Sequence, residues 1–206
     1  KHFDKMQKHF FDKGVRSNAE LIVGLPGETK ETHLKALSSL LESSDCDITT
    51  YNTMLLKGSE MHLEHLKNNA SKVQTSWRLL DNAFGEYGDI KCIETEQIVT
   101  GNETMTREDI LYFRPIHWLI QFLQNYSYSS RLIHFLKTQE IPIICFFQSL
   151  VDQAETAPKK VAELFQCFKK ESNEEYFETK EALIEYYQKP ENWKFISKGG
   201  FGKMNY

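Results

Sequence analysis

The sequence lacks several features that would place it in a class at once. It has no secretory signal and no apolar run of the about 20 residues that a membrane-spanning helix needs. Its four cysteines are dispersed, a spacing that suits a reducing compartment better than a disulfide framework; they are Cys46, Cys92, Cys145 and Cys167. We therefore expect a cytoplasmic globular protein with no membrane partner.

An excess of charge of one sign is also missing. Lys and Arg number 25 and Asp and Glu 29, so the formal net charge is −4. This balance gives no general attraction to nucleic acid. Without a basic surface, the 14 Phe and 9 Tyr are better explained as core residues than as platforms for stacked bases. We expect no nucleic-acid partner.

Catalytic motifs that spacing alone can reveal are absent from the sequence. There is no Gly-Lys-Ser/Thr phosphate loop, and no Ser-His-Asp or Cys-His arrangement can be assigned. His62 and His65 have the spacing of a helical metal chelate, but no third ligand stands nearby, which favours a solvated pair. His117 falls on the apolar side of a predicted helix and is interpreted as a core histidine with a satisfied hydrogen bond.

One stretch of the sequence has the pattern of a βα unit. The run 21–23, Leu-Ile-Val, predicts a strand buried on both faces. Gly24 breaks the strand, residues 25–27 turn the chain, and Thr29 can cap the helix that follows. Loops after parallel strands are where α/β proteins hold their ligands.

The periodicity of apolar residues predicts an α/β chain. Predicted helices cover 2–12, 30–42, 60–68, 74–84, 110–123, 131–137, 141–151, 158–170 and 173–188, and predicted strands cover 19–24, 48–56 and 90–99. The short connections between the first elements imply adjacent parallel strands joined by a right-handed crossover. The tail 198–203 is interpreted as flexible or as a short terminal strand.

Helix boundaries carry their own signals. Thr106 with Asp109 and Ser172 with Glu175 have the spacing of capping boxes, the second at the start of the last predicted helix. Pro115 is expected to kink the helix that contains it. Pro190 lies beyond the end of the last predicted helix.

Residues 20–29, Glu-Leu-Ile-Val-Gly-Leu-Pro-Gly-Glu-Thr, resemble the fifth-strand motif of radical S-adenosylmethionine (SAM) enzymes, especially the branch with an N-terminal cobalamin-binding domain. The stretch 48–61 resembles the sixth strand and its exit loop. Further stretches resemble the region after the barrel in that branch; they are 77–80, 84–87, 94–99 and 105–109. The resemblance covers about residues 1–123 and does not extend beyond them.

The resemblance implies an α/β fold with the C-terminal strands of a partial (β/α) barrel followed by a mainly helical region. Residues 1–66 would form the C-terminal part of the barrel, 67–125 a post-barrel α+β segment and 126–206 the helical C-terminal region. The helical region would close the site or bind the substrate, an unidentified small molecule.

The resemblance also implies where SAM would bind. Its adenine and ribose would lie against the ends of the two strands, where a glycine admits close approach and apolar flanks offer the purine a dry face. The implied contact residues are Ile22, Gly24, Leu25, Pro26, Gly27, Met54, Leu55 and Leu56. The alternatives are a purely structural turn at Gly24 and core packing for Met54 and Leu56. Arg78 and Glu96 match post-barrel positions, and the alternative for them is a surface ion pair without a catalytic role.

The sequence departs from the family in one respect. The cysteine triplet Cys-x-x-x-Cys-x-x-Cys that ligates the family's [4Fe–4S] cluster is missing. We therefore expect a C-terminal part of a longer enzyme, inactive alone, with the cluster and cobalamin bound by the upstream part of the same polypeptide. The parent reaction would be radical-mediated methyl transfer or a related oxidoreductase reaction. The alternatives are a degenerate relative, a non-catalytic helical scaffold with a structural βα unit, and an α/β enzyme that binds another nucleotide.

Overall fold

The computed structural model describes residues 2–43, 46–68, 72–126 and 128–197, which form a mixed α/β chain. The helices in these ranges are α1 (His2–Asp12), α2 (Lys30–Ser43), α3 (Glu60–Asn68), α4 (Arg107–Leu119), α5 (Ser130–Thr138), α6 (Ile143–Asp152), α7 (Lys159–Glu174), α8 (Lys180–Gln188) and α9 (Pro190–Ser197). The strands are β1 (Asn18–Val23), β2 (Asp47–Asn52), β3 (Gln74–Tyr87) and β4 (Ile90–Gly101). None of the described helices is long and apolar enough to cross a membrane.

The predicted β1–α2–β2 unit is confirmed. β1 and β2 pair in parallel, from Asn18 opposite Asp47 to Val23 opposite Asn52. The backbone N–H of Thr53 continues the ladder by donating to the carbonyl of Val23 at 3.0 Å. Because the strands are parallel, their carboxyl ends lie side by side at one edge of the sheet.

The two faces of this parallel pair differ. Val23 and Ile48 belong to the main core together with Leu37 of α2. Ile22 and Tyr51, which are partners in the register, are 44% and 45% exposed on the opposite face. The prediction that the strand is buried on both faces is therefore wrong within the described ranges, because packed helices cover only one of them.

The predicted helix over 74–84 is wrong, since this segment is strand β3, paired antiparallel with β4. Trp77 and Leu79 point to one side of the hairpin and pack among buried residues near α8 and α9. Arg78 lies between them and pairs with Glu96 on the other side. Pairing along the hairpin overrides the helical preference of the local residues. The predicted strand over 90–99 is confirmed and extends to Gly101.

A short segment after β2 joins the two strand pairs. Regular parallel pairing ends at Asn52, before the predicted end at residue 56. The N–H of Leu55 then donates to the carbonyl of Gln97, and the N–H of Val99 donates to the carbonyl of Thr53, both at 2.8 Å. The chain leaving β2 thus changes partner from β1 to β4, and the sheets of the described residues stay open.

Helix α4 begins at the predicted capping box and is continued by a π-helical segment. The N–H of Asp109 donates to Thr106 Oγ1 at 3.1 Å and the N–H of Thr106 donates to Asp109 Oδ2 at 3.0 Å, which confirms the capping box. Pro115 lies inside the helix, which runs on to Leu119. A π-helical segment, Ile120–Asn125, continues it.

The predicted helix over 173–188 is divided in two. α7 ends at Glu174, and α8 begins after Thr179, whose Oγ1 accepts the N–H of Ala182 at 3.1 Å. The predicted capping box of Ser172 and Glu175 is wrong, because Ser172 lies inside α7 and Glu175 is committed to a buried ion pair. The tail predicted over 198–203 lies outside the described residues.

One hydrophobic core draws on all three predicted segments of the chain. Its members include Val23, Leu37, Leu41, Ile48, Ile110, Phe113, Ile116, Ile133, Phe147 and Phe165. A second core packs α8 and α9 against the hairpin; it consists of Leu79, Leu183, Tyr187, Trp193 and Ile196. The β1–α2–β2 unit and the hairpin are therefore each connected to the C-terminal helices by shared packing.

Substitutions in the turn after β1 test its backbone conformation. Gly24→Ala and Gly27→Ala should each lower the free energy of unfolding by about 1–2 kcal/mol, because positive φ disfavours residues with a Cβ. Only at Gly24 does the new Cβ meet another side chain, Ile110 Cδ1 at 3.2 Å. Ile110→Val removes that atom, so it should recover part of the Gly24→Ala loss in urea unfolding.

The matched control combines Ile110→Val with Gly27→Ala. A Cβ at Gly27 meets nothing within 4 Å, so Gly27→Ala and Ile110→Val should destabilise additively. Additivity at Gly24 as well would contradict the close approach of α4 to the turn.

Candidate functional site

The turn after β1 is held in shape from within. Gly24 and Gly27 have φ values of +87° and +84°, which residues with a Cβ rarely adopt. The N–H of Gly24 donates to Glu28 Oε2 at 2.8 Å, and Thr29 Oγ1 accepts the N–H of Thr32 at 3.2 Å at the start of α2. The predicted cap at Thr29 is thus confirmed, while Glu28 turns back to the loop.

The segment between β4 and α4 holds the same turn from outside. Asn102 Nδ2 donates to the carbonyl of Gly24 at 3.0 Å, and Thr104 Oγ1 donates to the carbonyl of Glu28 at 2.6 Å. Both polar groups of the Gly24 backbone therefore have protein partners. A ligand at this position would contact the surrounding side chains rather than the N–H or C=O of Gly24.

The structure brings most of the residues expected to contact SAM to one edge of the sheet. The carboxyl ends of the strands meet there, since Thr53 Oγ1 donates to the carbonyl of Val23 at 2.9 Å. The exposed members of the set are Ile22, Leu25, Pro26, Gly27, Met54 and Leu56. Gly24 is buried, and Leu55 packs in a small core with Val73 and Val99. Contact of these residues with a cofactor stays a prediction.

Three side chains form a hydrogen-bonded series that starts at this turn. Glu28 Oε1 lies 2.8 Å from His33 Nδ1, and His33 Nε2 lies 3.0 Å from His117 Nε2. His33 is fully buried, with its ring edge against Phe113 at a centroid distance of 4.5 Å. The prediction that His117 is satisfied by a hydrogen bond is confirmed. Its partner could not be read from the sequence, because the two histidines lie 84 positions apart.

The far end of this series reaches a cavity of about 520 Å3 between β2, the hairpin and α4. Its polar lining includes Thr50, Asn52, Arg78, Glu96, Arg114 and His117. Aromatic side chains, among them Trp118 and Phe168, contribute the apolar part. Apolar walls with a few convergent polar groups are typical of small-molecule sites.

The cavity runs along the edge of β2 that faces away from β1. Asn125 covers the first part of that edge: its Nδ2 donates to the carbonyl of Ile48 at 2.8 Å, and its Oδ1 accepts the N–H of Ile48 at 3.0 Å. Alternate residues of a strand direct their backbone groups to the same side. Thr50 and Asn52, which line the cavity, therefore direct their N–H and C=O groups to this same edge of β2.

Two ion pairs form another wall of the cavity. Arg78 bonds Glu96 across the hairpin, and their side chains are only 13% and 12% exposed, so the pair is not the surface pair considered from the sequence. Arg114 bonds the buried carboxylate of Glu175 and donates to the hydroxyl of Tyr176 at 2.6 Å. Burial raises the pKa of Glu175, and the guanidinium groups of Arg114 and Arg78 oppose that change.

Metal ligands are not gathered anywhere in the described part of the chain. No group of three His, Cys, Asp or Glu side chains there could hold an ion, and none of the four cysteines forms a disulfide. His62 Nδ1 accepts the N–H of Gly58 at 3.4 Å. The described residues therefore do not fit an iron–sulfur cluster.

Removal of Glu175 should be strongly destabilising, because it leaves the charge of Arg114 buried without its partner. Glu175→Ala should lower the free energy of unfolding by about 3–5 kcal/mol. The neighbouring Glu174 is half exposed and pairs with the exposed Lys170, so Glu174→Ala should change the free energy of unfolding by less than about 0.5 kcal/mol. In urea unfolding, the double variant Arg114→Met/Glu175→Leu should recover much of the stability lost in Glu175→Ala. Equal effects of Glu175→Ala and Glu174→Ala would contradict the buried ion pair.

Acid should destabilise the protein through His117. Burial, with His33 and Arg114, lowers the pKa of His117 well below 6.5. As the pH falls below about 6.5, the unfolded state takes up a proton that the folded state does not, so stability is lost by up to about 1.4 kcal/mol per pH unit. In urea unfolding across this range, His117→Asn should flatten the slope. The same change at exposed His134 should leave the slope as it is, and an unaltered slope in both variants would contradict the assignment.

Comparison of the chain with known proteins does not assign a function to this site. No protein-family model matches the chain, and no curated protein matches it significantly.

Proposed function

We propose that this chain supplies the C-terminal strands of a radical SAM barrel and binds SAM at the carboxyl ends of β1 and β2. The observation that carries the proposal is the uncovered face of the parallel pair, where Ile22 and Tyr51 are nearly half exposed. Parallel sheets are ordinarily covered on both faces. The inner face of a barrel satisfies this rule through further strands, which would come from the upstream part of the same polypeptide.

The exposed apolar residues at the same edge support the SAM position. Leu25 follows β1 and Met54 follows β2, and both are partly exposed beside the ordered turn at Gly24. These side chains offer a dry surface to a purine. Beside a reduced cluster, SAM held here would supply radical chemistry that removes hydrogen from carbon. The residues of this chain would orient SAM and exclude water.

The cluster and cobalamin are assigned elsewhere. The described residues hold no suitable ligand group, so no part of the proposal places these cofactors on this chain. The upstream polypeptide would provide them. The mainly helical region after residue 126 would contribute to substrate binding, because Phe168 of its helix α7 lines the cavity.

One observation favours the non-catalytic alternative. The backbone N–H and C=O of Gly24 both have protein partners, and a Cβ there would meet Ile110 rather than open space. The turn therefore has a structural reason for its glycine, as a scaffold protein with a βα unit would require. A ligand titration separates the two functions.

The proposal is tested in the polypeptide encoded by the whole gene, which should contain a Cys-x-x-x-Cys-x-x-Cys run upstream of Lys1. Ile22→Glu should weaken SAM binding about tenfold or more in calorimetry, because it places a charge in the apolar contact. Val15→Glu changes an equally exposed residue near the opposite end of β1 and should leave the Kd unchanged. Equal effects of the two changes would contradict the site. Binding of ATP or NAD but not SAM would favour another nucleotide enzyme, and no binding would favour the scaffold.

A further inference from the structure

We propose that His117 accepts a proton from a ligand in the cavity and that His33 and Glu28 carry the charge to the loop after β1. This role does not depend on the radical SAM assignment. The ligand would be a small polar molecule that presents an acidic N–H group, such as an ammonium.

The geometry provides a continuous path from the cavity to the surface. His117 lines the cavity, and its Nε2 contacts His33 Nε2 at 3.0 Å. His33 is fully buried, so its ring nitrogens are shielded from solvent. One faces Glu28 and the other faces His117. On the other side of the ring, His33 Nδ1 contacts Glu28 Oε1. The Glu28 side chain is 17% exposed, so its carboxylate can exchange a proton with solvent.

The hydrogen bonds fix the direction of the relay. Glu28 accepts the N–H of Gly24 through Oε2, which holds its carboxylate as an acceptor. His33 therefore donates from Nδ1 to Glu28, and a neutral His33 has only a lone pair at Nε2. His117 must then donate from its own Nε2. Its Nδ1 retains a lone pair, and within the described ranges that atom has no hydrogen-bond partner.

The surroundings favour a neutral His117 that can act as a base. Arg114 from the same helix and His33 from α2 both oppose a positive charge on it, and burial adds to their effect. The other charged groups near the cavity, Arg78, Glu96 and Glu175, are joined in ion pairs with balanced charge. The imidazole is thus the neutral basic group on this part of the lining.

The proposed transfer balances without a further reactant. A ligand proton bonds to His117 Nδ1 while the His117 Nε2–H bond breaks and an Nε2–H bond forms on His33. The His33 Nδ1–H bond breaks as its proton bonds to Glu28 Oε1. The ligand has then lost one proton, Glu28 has gained one, and both imidazoles have changed tautomer, until Glu28 releases its proton to water.

The test is long-range 1H–15N NMR of the full 206-residue chain, which distinguishes protonated from unprotonated imidazole nitrogens. At neutral pH, His33 should carry its proton on Nδ1 and His117 on Nε2. In Glu28→Gln, whose amide can donate to His33, both histidines should lose this preference for one tautomer. Glu31→Gln on the exposed first turn of α2 is the matched control and should change neither histidine.

Access from the cavity is tested with diethyl pyrocarbonate, which acylates unprotonated imidazole nitrogens. Peptide mapping by mass spectrometry should find His117 modified in the folded protein and buried His33 unmodified. The proposal is overturned if His117 carries its proton on Nδ1 or on both nitrogens at neutral pH. It is also overturned if Glu28→Gln leaves both tautomers unchanged, or if His117 resists the reagent until the protein unfolds. None of these outcomes depends on whether SAM binds.

Discussion

The hydrogen bonds that hold the turn between β1 and α2 are the constraint on which the rest of the structure depends. Asn102 and Thr104 donate to carbonyl groups of this turn, and they come from the segment that joins the hairpin to α4. The turn, the end of β4 and the start of α4 are therefore positioned together. The positive φ of Gly24 and the contact of α4 with it follow from the same arrangement.

A second constraint lies on the other side of α4. Arg114 projects from this helix to Glu175, which stands at the end of α7, and Arg78 of the hairpin approaches the same carboxylate at 3.7 Å. A buried charge without a partner is costly, so these elements can pack in few alternative arrangements. The ion pairs thereby define one wall of the cavity and connect the hairpin to the C-terminal helices.

The cavity and the turn are joined by Glu28, His33 and His117. One end of this series shares the Gly24 turn with the residues proposed to bind SAM, and the other lines a cavity of substrate size. If the proposed relay operates, a ligand that moved Glu28 would alter the tautomer of His117 without contacting it. The uncovered face of β1 and β2 lies beside the same turn, which places the proposed barrel interior and the cavity close to one another.

The sequence by itself determined those parts of the fold whose signals are local. The β1–α2–β2 unit follows from an apolar run, a glycine turn and a helical stripe, and the Thr106–Asp109 cap depends on residues three positions apart. Only the tertiary structure decided that residues 74–84 form a strand, because a strand is stabilised by its partner and β4 lies further along the chain. The pairs His33–His117 and Arg114–Glu175 likewise join residues 84 and 61 positions apart. Neither partner carries a local pattern that indicates the other, since packing of α4 against α2 and α7 brings them together.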